Sequence, residues 1–420
     1  MKKYDSYKDS GVEWIGEIPS EWECLRLGML GDFSSSGIDK KSKEDETPVR
    51  MVNYTDLIQS RKYYPIQTGE KEYMRVTTPQ SKLEEHRLKK GDMVFIPSSE
   101  THEDLGYSSL IDFDENDIVY SYHILRYKTK KPVYHYYKKY LINHHSVLNQ
   151  FSSECKGTTR QIIGRDVFNN VRVVLPPLSE QQQIVSFLDT KTSLIDSLIE
   201  KTQRKIELLK EKRTSLINEV VTKGLNPNVE MKDSGVEWIG EIPIGWEITK
   251  MKFEVEIFGR IGFRGYTTDD IVNEGEGVIT ISPSNIKNDV FNLENRTYLS
   301  WEKYHESPEI KIFKDDIILV KTGSTIGKTS IIPDGVPEMT INPQLVVLKN
   351  VKLFPKFLHY QTTCKFIKES FDIEQTGSTT PTISQEKVND FPLVKPPLSE
   401  QKQITEYLDE QTQLIDKTVS

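Results

Sequence analysis

Hydrophobic and polar positions divide this chain into one long helical pattern and many short strand-like ones. Between Pro177 and Gly224 there is no proline and no glycine. Apolar residues there return every seven positions. One series is Leu188, Ile195, Thr202, Leu209 and Leu216, and the other is Thr192, Ile199, Ile206, Arg213 and Val220. The aliphatic members Leu188, Ile195, Ile199, Ile206, Leu209, Leu216 and Val220 form a coiled-coil seam. Lys201, Arg204, Lys205, Lys210, Glu211 and Lys212 fill the other faces. A lone helix of this length would leave its seam in water, so the pattern predicts a partner helix or a docking subunit. Pro176-Pro177 block extension upstream. Ser179 with Gln182 is expected to form a capping box, and Gly224 and Pro227 to stop the helix. Roughly 44 residues at about 1.5 Å each give a rod on the order of 65 Å.

Elsewhere the apolar runs are short and bounded by turn residues. They predict strands at 49–53, 93–97, 118–126, 277–282, 316–321 and 344–349, with helices near 135–150 and 355–371. The fold class is α/β (α+β).

The chain is also written twice. DSGVEWIGEIP at 9–19 returns unchanged at 233–243, and Trp22 returns as Trp246. PPLSEQQQI at 176–184 returns as PPLSEQKQI at 396–404, followed by a second helical pattern that reaches Ser420. A period near 220 residues marks a tandem duplication. The flanks of each unit are nearly identical, whereas the interiors, about 24–155 and 247–375, share only echoes. Gly91-Asp92-Met93-Val94-Phe95 matches Asp315-Asp316-Ile317-Ile318-Leu319, a turn into a buried strand. Gly157-Thr158-Thr159 matches Gly377-Ser378-Thr379. One fold with two different surfaces is the expectation.

The 420 residues carry a net charge of −8, which taken alone argues against nucleic acid. Locally the picture reverses. Residues 120–172 hold ten Lys/Arg against two acids, interleaved with seven tyrosines. Such a patch is an electrostatic footprint for phosphates, and Lys130, Lys131, Lys138 and Lys139 are its candidates. The Gly157, Thr158, Thr159, Arg160 and Gln161 segment and its counterpart Gly377, Ser378, Thr379 and Thr380 are candidate reading loops. Arg260 and Arg264, set among glycines, could meet guanine edges.

Three other chemistries fail on spacing. Gly323-x-x-x-Gly327-Lys328 is one residue short of a nucleotide-binding loop. Gly323, Ser324, Thr325 and Lys328 remain candidates for a DNA phosphate. Asn226-Pro227-Asn228 and Asn342-Pro343-Gln344 lack the second proline and the aromatic that a base-flipping methyltransferase needs. Glu230-x-Lys232 and Glu309-x-Lys311 have no upstream acid to make a nuclease. Cys24, Cys155 and Cys364 are an odd number without metal spacing, which points to the cytoplasm. No apolar run reaches membrane length and no signal peptide is visible.

The doubled DSGVEWIGEIP…W, the doubled PPLSEQ-x-QI ahead of a heptad helix, and GTTRQI (157–162) and GSTTPTI (377–383) together resemble the specificity subunit of type I restriction–modification systems. The resemblance covers essentially the whole chain. It implies a first target-recognition domain at 1–175, a central spacer helix at 176–232, a second target-recognition domain at 233–395 and a shortened C-terminal helix at 396–420. It implies a non-catalytic chain in which each domain reads half of a split site on double-stranded DNA. The helices would set the spacing and dock two modification (methyltransferase) subunits, with ATP-dependent restriction subunits completing the complex. S-adenosylmethionine, ATP and Mg belong to those partners, and this chain is expected to bind no cofactor or metal. The short second helix departs from the family pattern and admits a second copy of this chain as partner. A silent recombination donor and a protein–protein adaptor without a DNA role stand as alternatives.

Overall fold

The computed structural model describes residues 4–61, 65–260, 265–377 and 379–419. The chain divides into two compact units, Met1–Leu198 and Ile199–Ser420, the boundary falling inside the central helix.

Unit 1 is built on two sheets. The larger has the strand order Gly31–Ser34, Leu125–Thr129, Met93–Phe95, Ser108–Ile111, Ile66–Gln67. Its first four strands are antiparallel, with Val94 opposite Arg126. The smaller places Ile118–Tyr120 parallel to Thr47–Val52, which pairs antiparallel with Met74–Thr78. Met93, Val94 and Phe95 are fully buried, as a strand with both faces covered must be. The turn before them needs a left-handed residue, and Gly91 supplies it at φ +92°. Phe33, Phe95, Tyr127 and Phe168 meet edge-on or tilted at 4.5–5.8 Å between centroids. Each buried ring contributes about 3–5 kcal/mol by the cost of truncating it to alanine.

Unit 2 repeats the plan. Its first sheet runs Glu256–Gly259, Leu345–Lys349, Ile317–Val320, Thr329–Ile331, all antiparallel. In its second sheet Met339–Ile341 is parallel to Gly277–Ile281, which pairs with Thr297–Ser300. The position equivalent to Gly91 is Asp315, again left-handed at φ +68°; a short polar side chain tolerates that region. The duplicated echo at 91–95 and 315–319 is therefore one turn and one central strand, made twice.

The central helix spans Leu178–Lys223, 46 residues. It begins two residues earlier than the capping pattern predicts. The amides of Glu180 and Gln181 donate to the Pro177 carbonyl at 2.9 and 3.0 Å, so Ser179 lies inside the first turn and is not the cap. The end is as expected: Gly224 is left-handed at φ +77° and its amide closes on the Val220 carbonyl at 3.0 Å. The seam is only partly used within the chain. Val220 is buried, and Leu188, Ile206, Leu209 and Leu216 are half-buried. Ile195 and Ile199 are more than half exposed. Burial at the helix end falls to Ile217, Val220 and Val221, which pack into the unit 2 core with Trp246, Ile404 and Leu408. The second helix, Leu398–Val419, lies beside this end, and Arg213 reaches Asp416 at 3.3 Å.

Candidate nucleic-acid interface

In unit 1 the Gly157–Gln161 loop is held at its exit by strand pairing. Gln161 faces Ser99 and Ile162 faces Ser98, and the Ile163 amide donates to the Pro97 carbonyl at 2.8 Å. Gly157 sits at φ +122°, and a Cβ there would lie 2.2 Å from the Arg160 carbonyl oxygen. Glycine is thus required, because the loop folds back on its own backbone. Gly157, Thr158, Thr159 and Arg160 are exposed.

Unit 2 builds the same device. Gly377 is at φ +89°, with its missing Cβ 2.7 Å from the Thr380 carbonyl oxygen. Thr382 bridges both Thr322 and Thr376, and the Gly323 amide donates to the Pro381 carbonyl at 2.9 Å. The fold therefore gathers two candidates far apart in sequence. Gly323, Ser324 and Thr325 stand beside Gly377, Thr379 and Thr380. Ser324, Thr379 and Thr380 are exposed, as is Lys328 on the following turn. Arg264 and Ser378 lie outside the described residues.

The basic ground of residues 120–172 is less available than its composition suggests. Lys130 and Lys131 are exposed, and Lys130 pairs with Asp32 at 2.6 Å. Lys138 and Lys139 are buried, which corrects their assignment to DNA. Lys138 donates to the Gly91 carbonyl at 2.7 Å, and burial holds its ammonium below the ordinary lysine value. Lys139 pairs with Asp189 of the central helix at 2.6 Å. A buried amphipathic helix end needs its charges satisfied inside, and these two lysines do that. Arg260 is corrected likewise. It is 5% exposed and donates to the Ile341 carbonyl and to Thr340 Oγ1 at 3.3 and 3.2 Å. It braces a sheet and has no free edge to offer a base.

A cavity of about 330 Å³ opens beside the unit 1 loop, lined by Lys40, Tyr54, Thr55, His123 and Arg160 among others. Of these, Arg160 stands in a candidate reading loop and His123 in the basic tyrosine-rich stretch. Lys40 stands in an ordinary polar loop, and only the fold brings it to Arg160.

The repeated flanks have a visible internal task. Trp22 Nε1 donates to Glu180 at 2.8 Å, and Trp246 Nε1 donates to Glu400 at 2.9 Å. The Gln181 side-chain oxygen accepts the Tyr134 amide at 2.8 Å, and Gln401 accepts the Phe354 amide at 2.7 Å. The hydroxyls of Tyr140 and Tyr360 donate to Asp189 and Asp409. These pairs clamp the start of each helix onto its own unit. Other repeated positions face outward: Phe187 and Leu194 on the central helix, and Tyr407 and Leu414 on the second, are 36–55% exposed.

Among the described residues no group of three or more His, Cys, Asp or Glu could hold a metal ion. Among the same residues no helix is long and apolar enough to cross a membrane.

The family model for the type I restriction modification DNA specificity domain matches residues 19–208 and 256–418. A Methanocaldococcus jannaschii chain bearing the name of the type I restriction enzyme MjaX specificity subunit is 26% identical over 401 residues, covering 94% of this chain and 87% of its own. The MjaVIII specificity subunit of the same organism is 28% identical over 270 residues, 63% of this chain and 60% of its own. The HsdS subunit from Thermoanaerobacter tengcongensis superposes with a TM-score of 0.58 at 16% identity, covering 96% of this chain and 91% of that one. A chain from a structural study of type I R-M complex assembly and conformational transition gives 0.68 at 16%, covering 95% and 92%. With the model matched in both units, the chain belongs to the type I restriction modification DNA specificity family.

Proposed function

We propose that each unit reads one half of a split site on double-stranded DNA, through the Gly157–Gln161 loop in unit 1 and the paired Gly323–Thr325 and Gly377–Thr380 loops in unit 2. The observation that carries this reading is one fold built twice with the same anchored loop, each bearing different exposed residues. Backbone amides, Lys130, Lys131, Lys328 and Arg160 hold phosphates, and the other loop side chains meet base edges. The central helix acts as a ruler for the unread base pairs between half-sites. The exposed pairs Phe187/Tyr407 and Leu194/Leu414 dock two modification subunits. These contribute S-adenosylmethionine chemistry, while restriction subunits contribute ATP-driven cleavage. This chain supplies specificity without catalysis, in the cytoplasm. A second copy of the chain is a further partner, favoured by the exposed Leu194, Ile195, Leu198 and Ile199 stripe.

The test is a methylome. The chain is co-expressed with its cognate modification subunit in a methylation-free host, and modified adenines are mapped. A split motif with a fixed gap is expected. Deleting one heptad, 202–208, should shorten the gap and leave both halves unchanged; an unchanged gap would end the ruler idea. The mass of the assembled complex decides whether one or two copies are present.

A further inference from the structure

We propose that the Lys40–His123–Arg160 cavity of unit 1 is a seat for one phosphodiester phosphate of the DNA backbone, and that His123 takes up a proton as the phosphate enters. The inference rests on the DNA reading above.

Five separate stretches of chain converge on this cavity, one of them Ser99, Glu100 and Thr101. Lys40 comes from the loop after the first strand of the large sheet and Tyr54 and Thr55 from the start of the helix Tyr54–Arg61. His123 precedes the strand Leu125–Thr129, and Arg160 belongs to the glycine loop. Arg160 and Lys40 are exposed, and neither side chain has an ion-pair or hydrogen-bond partner among the described residues. That sets them apart from three lysines of the same basic stretch. Lys130, Lys138 and Lys139 are each already held by a carboxylate or a carbonyl. Two cations without an ion-pair partner, facing one concave site with a single lining carboxylate, attract an anion, and focusing by the cavity walls strengthens the field.

Two acids lie near. Glu100 lines the cavity, and Asp39 faces Lys41 at 3.8 Å. Tyr54 is engaged with Ser99 and Asp104 at 3.1 and 3.3 Å. Thr55 Oγ1 already donates to Asn53 Oδ1 at 2.6 Å, so it is the Thr101 hydroxyl that can donate to a phosphate oxygen. A guanidinium fork, an ammonium and a short hydroxyl are the donor set that phosphate recognition uses. The adjacent Gly157 carries no side chain, so backbone can come close.

His123 adds a proton balance. Burial first, then Arg160 and Lys40, hold its ring below the ordinary histidine value, with Asp39 pulling the other way. A phosphodiester anion between those cations reverses the local field and favours imidazolium. Each bound phosphate then draws a proton onto the ring, so affinity rises as pH falls through the histidine range.

The experiment uses the full chain and a labelled DNA duplex of arbitrary sequence. Anisotropy is read over a salt series between about pH 6 and pH 8. Wild type should bind more tightly at the acid end, by up to about tenfold for each unit by which the phosphate raises the ring's pKa. Arg160→Gln and Lys40→Gln should each lower the salt slope by about one, and Lys40→Arg should restore it. His123→Gln should still bind but lose the acid gain. Melting temperatures confirm that each variant is folded. If wild type binds DNA and the three charge-removing variants keep its slope and pH dependence, the seat is overturned while the DNA reading stands. If wild type binds no duplex, with or without the modification subunit, the DNA reading falls too. A parallel titration with inorganic phosphate separates the sources. Phosphate binding that Arg160→Gln abolishes, with duplex affinity unmoved, would make this a free-phosphate site and overturn the proposal.

Discussion

Trp22 and Trp246 follow the same eleven residues and make the same bond to a glutamate, yet they live in different surroundings. Trp246 is 1% exposed, whereas Trp22 is only half-buried. Their neighbours differ in the same sense. Ile404 and Leu408 are buried, and their counterparts Ile184 and Leu188 are half-buried in an open groove with Tyr4 and Phe187. Ile217, Val220, Val221 and Gly224 of the central helix explain the contrast, because they arrive on Trp246. At Trp22 the neighbours are the Glu180 side chain, at the start of the central helix, and the Tyr4 ring. Identical local sequence fixes a bond and a turn, but burial is decided by what comes from elsewhere.

The sharpest way to break this comparison is to truncate both rings. Trp246→Ala should cost about 3–5 kcal/mol in unit 2, because it empties a closed core. Trp22→Ala should cost clearly less, because solvent already reaches that ring. Denaturant unfolding of the two variants checks this, and equal losses would show that unit 1 is as closed as unit 2.

A second contrast lies at Lys139 and His359, which occupy equivalent positions. Lys139 is paired with Asp189. His359 is held down to about 4 by burial, then by Lys356 and Arg213. Its folded value lies below the unfolded value of about 6.5, so stability is lost as pH falls through 6.5 toward 4. The loss should reach about 3 kcal/mol, and His359→Gln should flatten it. A stability profile from pH 7 to 4 with no difference between the variant and wild type would refute this.

Arg160 and Arg260 were both read as DNA contacts, and the fold separates them. Arg260→Ala should destabilise unit 2 by about 1–3 kcal/mol, because it removes the guanidinium bond to the buried Ile341 carbonyl. Arg160→Ala should shift stability by no more than about 0.5 kcal/mol. Thermal melting of the pair distinguishes these roles. The smallest stability effects are expected outside. Phe187→Ser and Leu194→Ser should leave melting within about 0.5 kcal/mol of wild type while weakening assembly with the modification subunit. Tyr407→Ser and Leu414→Ser should do the same, and pull-down against that subunit reads it. Full assembly by all four variants would remove this face from the docking proposal.

Much of this was legible in the sequence. The long helix, its glycine stop, the duplication and the central strand after Gly91 or Asp315 all follow from local patterns. Charge was harder to read. A lysine on a helix looks the same on paper whether it faces water or a carbonyl. Lys138 and Lys139 became internal partners because Gly91 and Asp189 reach them from distant positions. The repeated PPLSEQ was read as a helix start capped by Ser179 and Gln182. Its Glu and Gln instead hold the helix to its own unit, and the outward residues come one or two turns later. Lys40 could not be found at all, since nothing local marks a loop lysine that a fold will bring to Arg160.

The central helix is gripped at both ends, by Glu180 on Trp22 and by Gly224 against Trp246. Two grips fix its rotational phase. One inserted residue between them would turn everything beyond it by about 100°. Each end would keep its own grip, and along the helix Phe187 and Leu194 would face a new direction relative to Ile217, Val220 and Val221. Seven residues return the faces to within about 20°. The length of this element is therefore quantised. Its permitted lengths form a ladder with heptad rungs, and the intermediate lengths should be missing from functional variants.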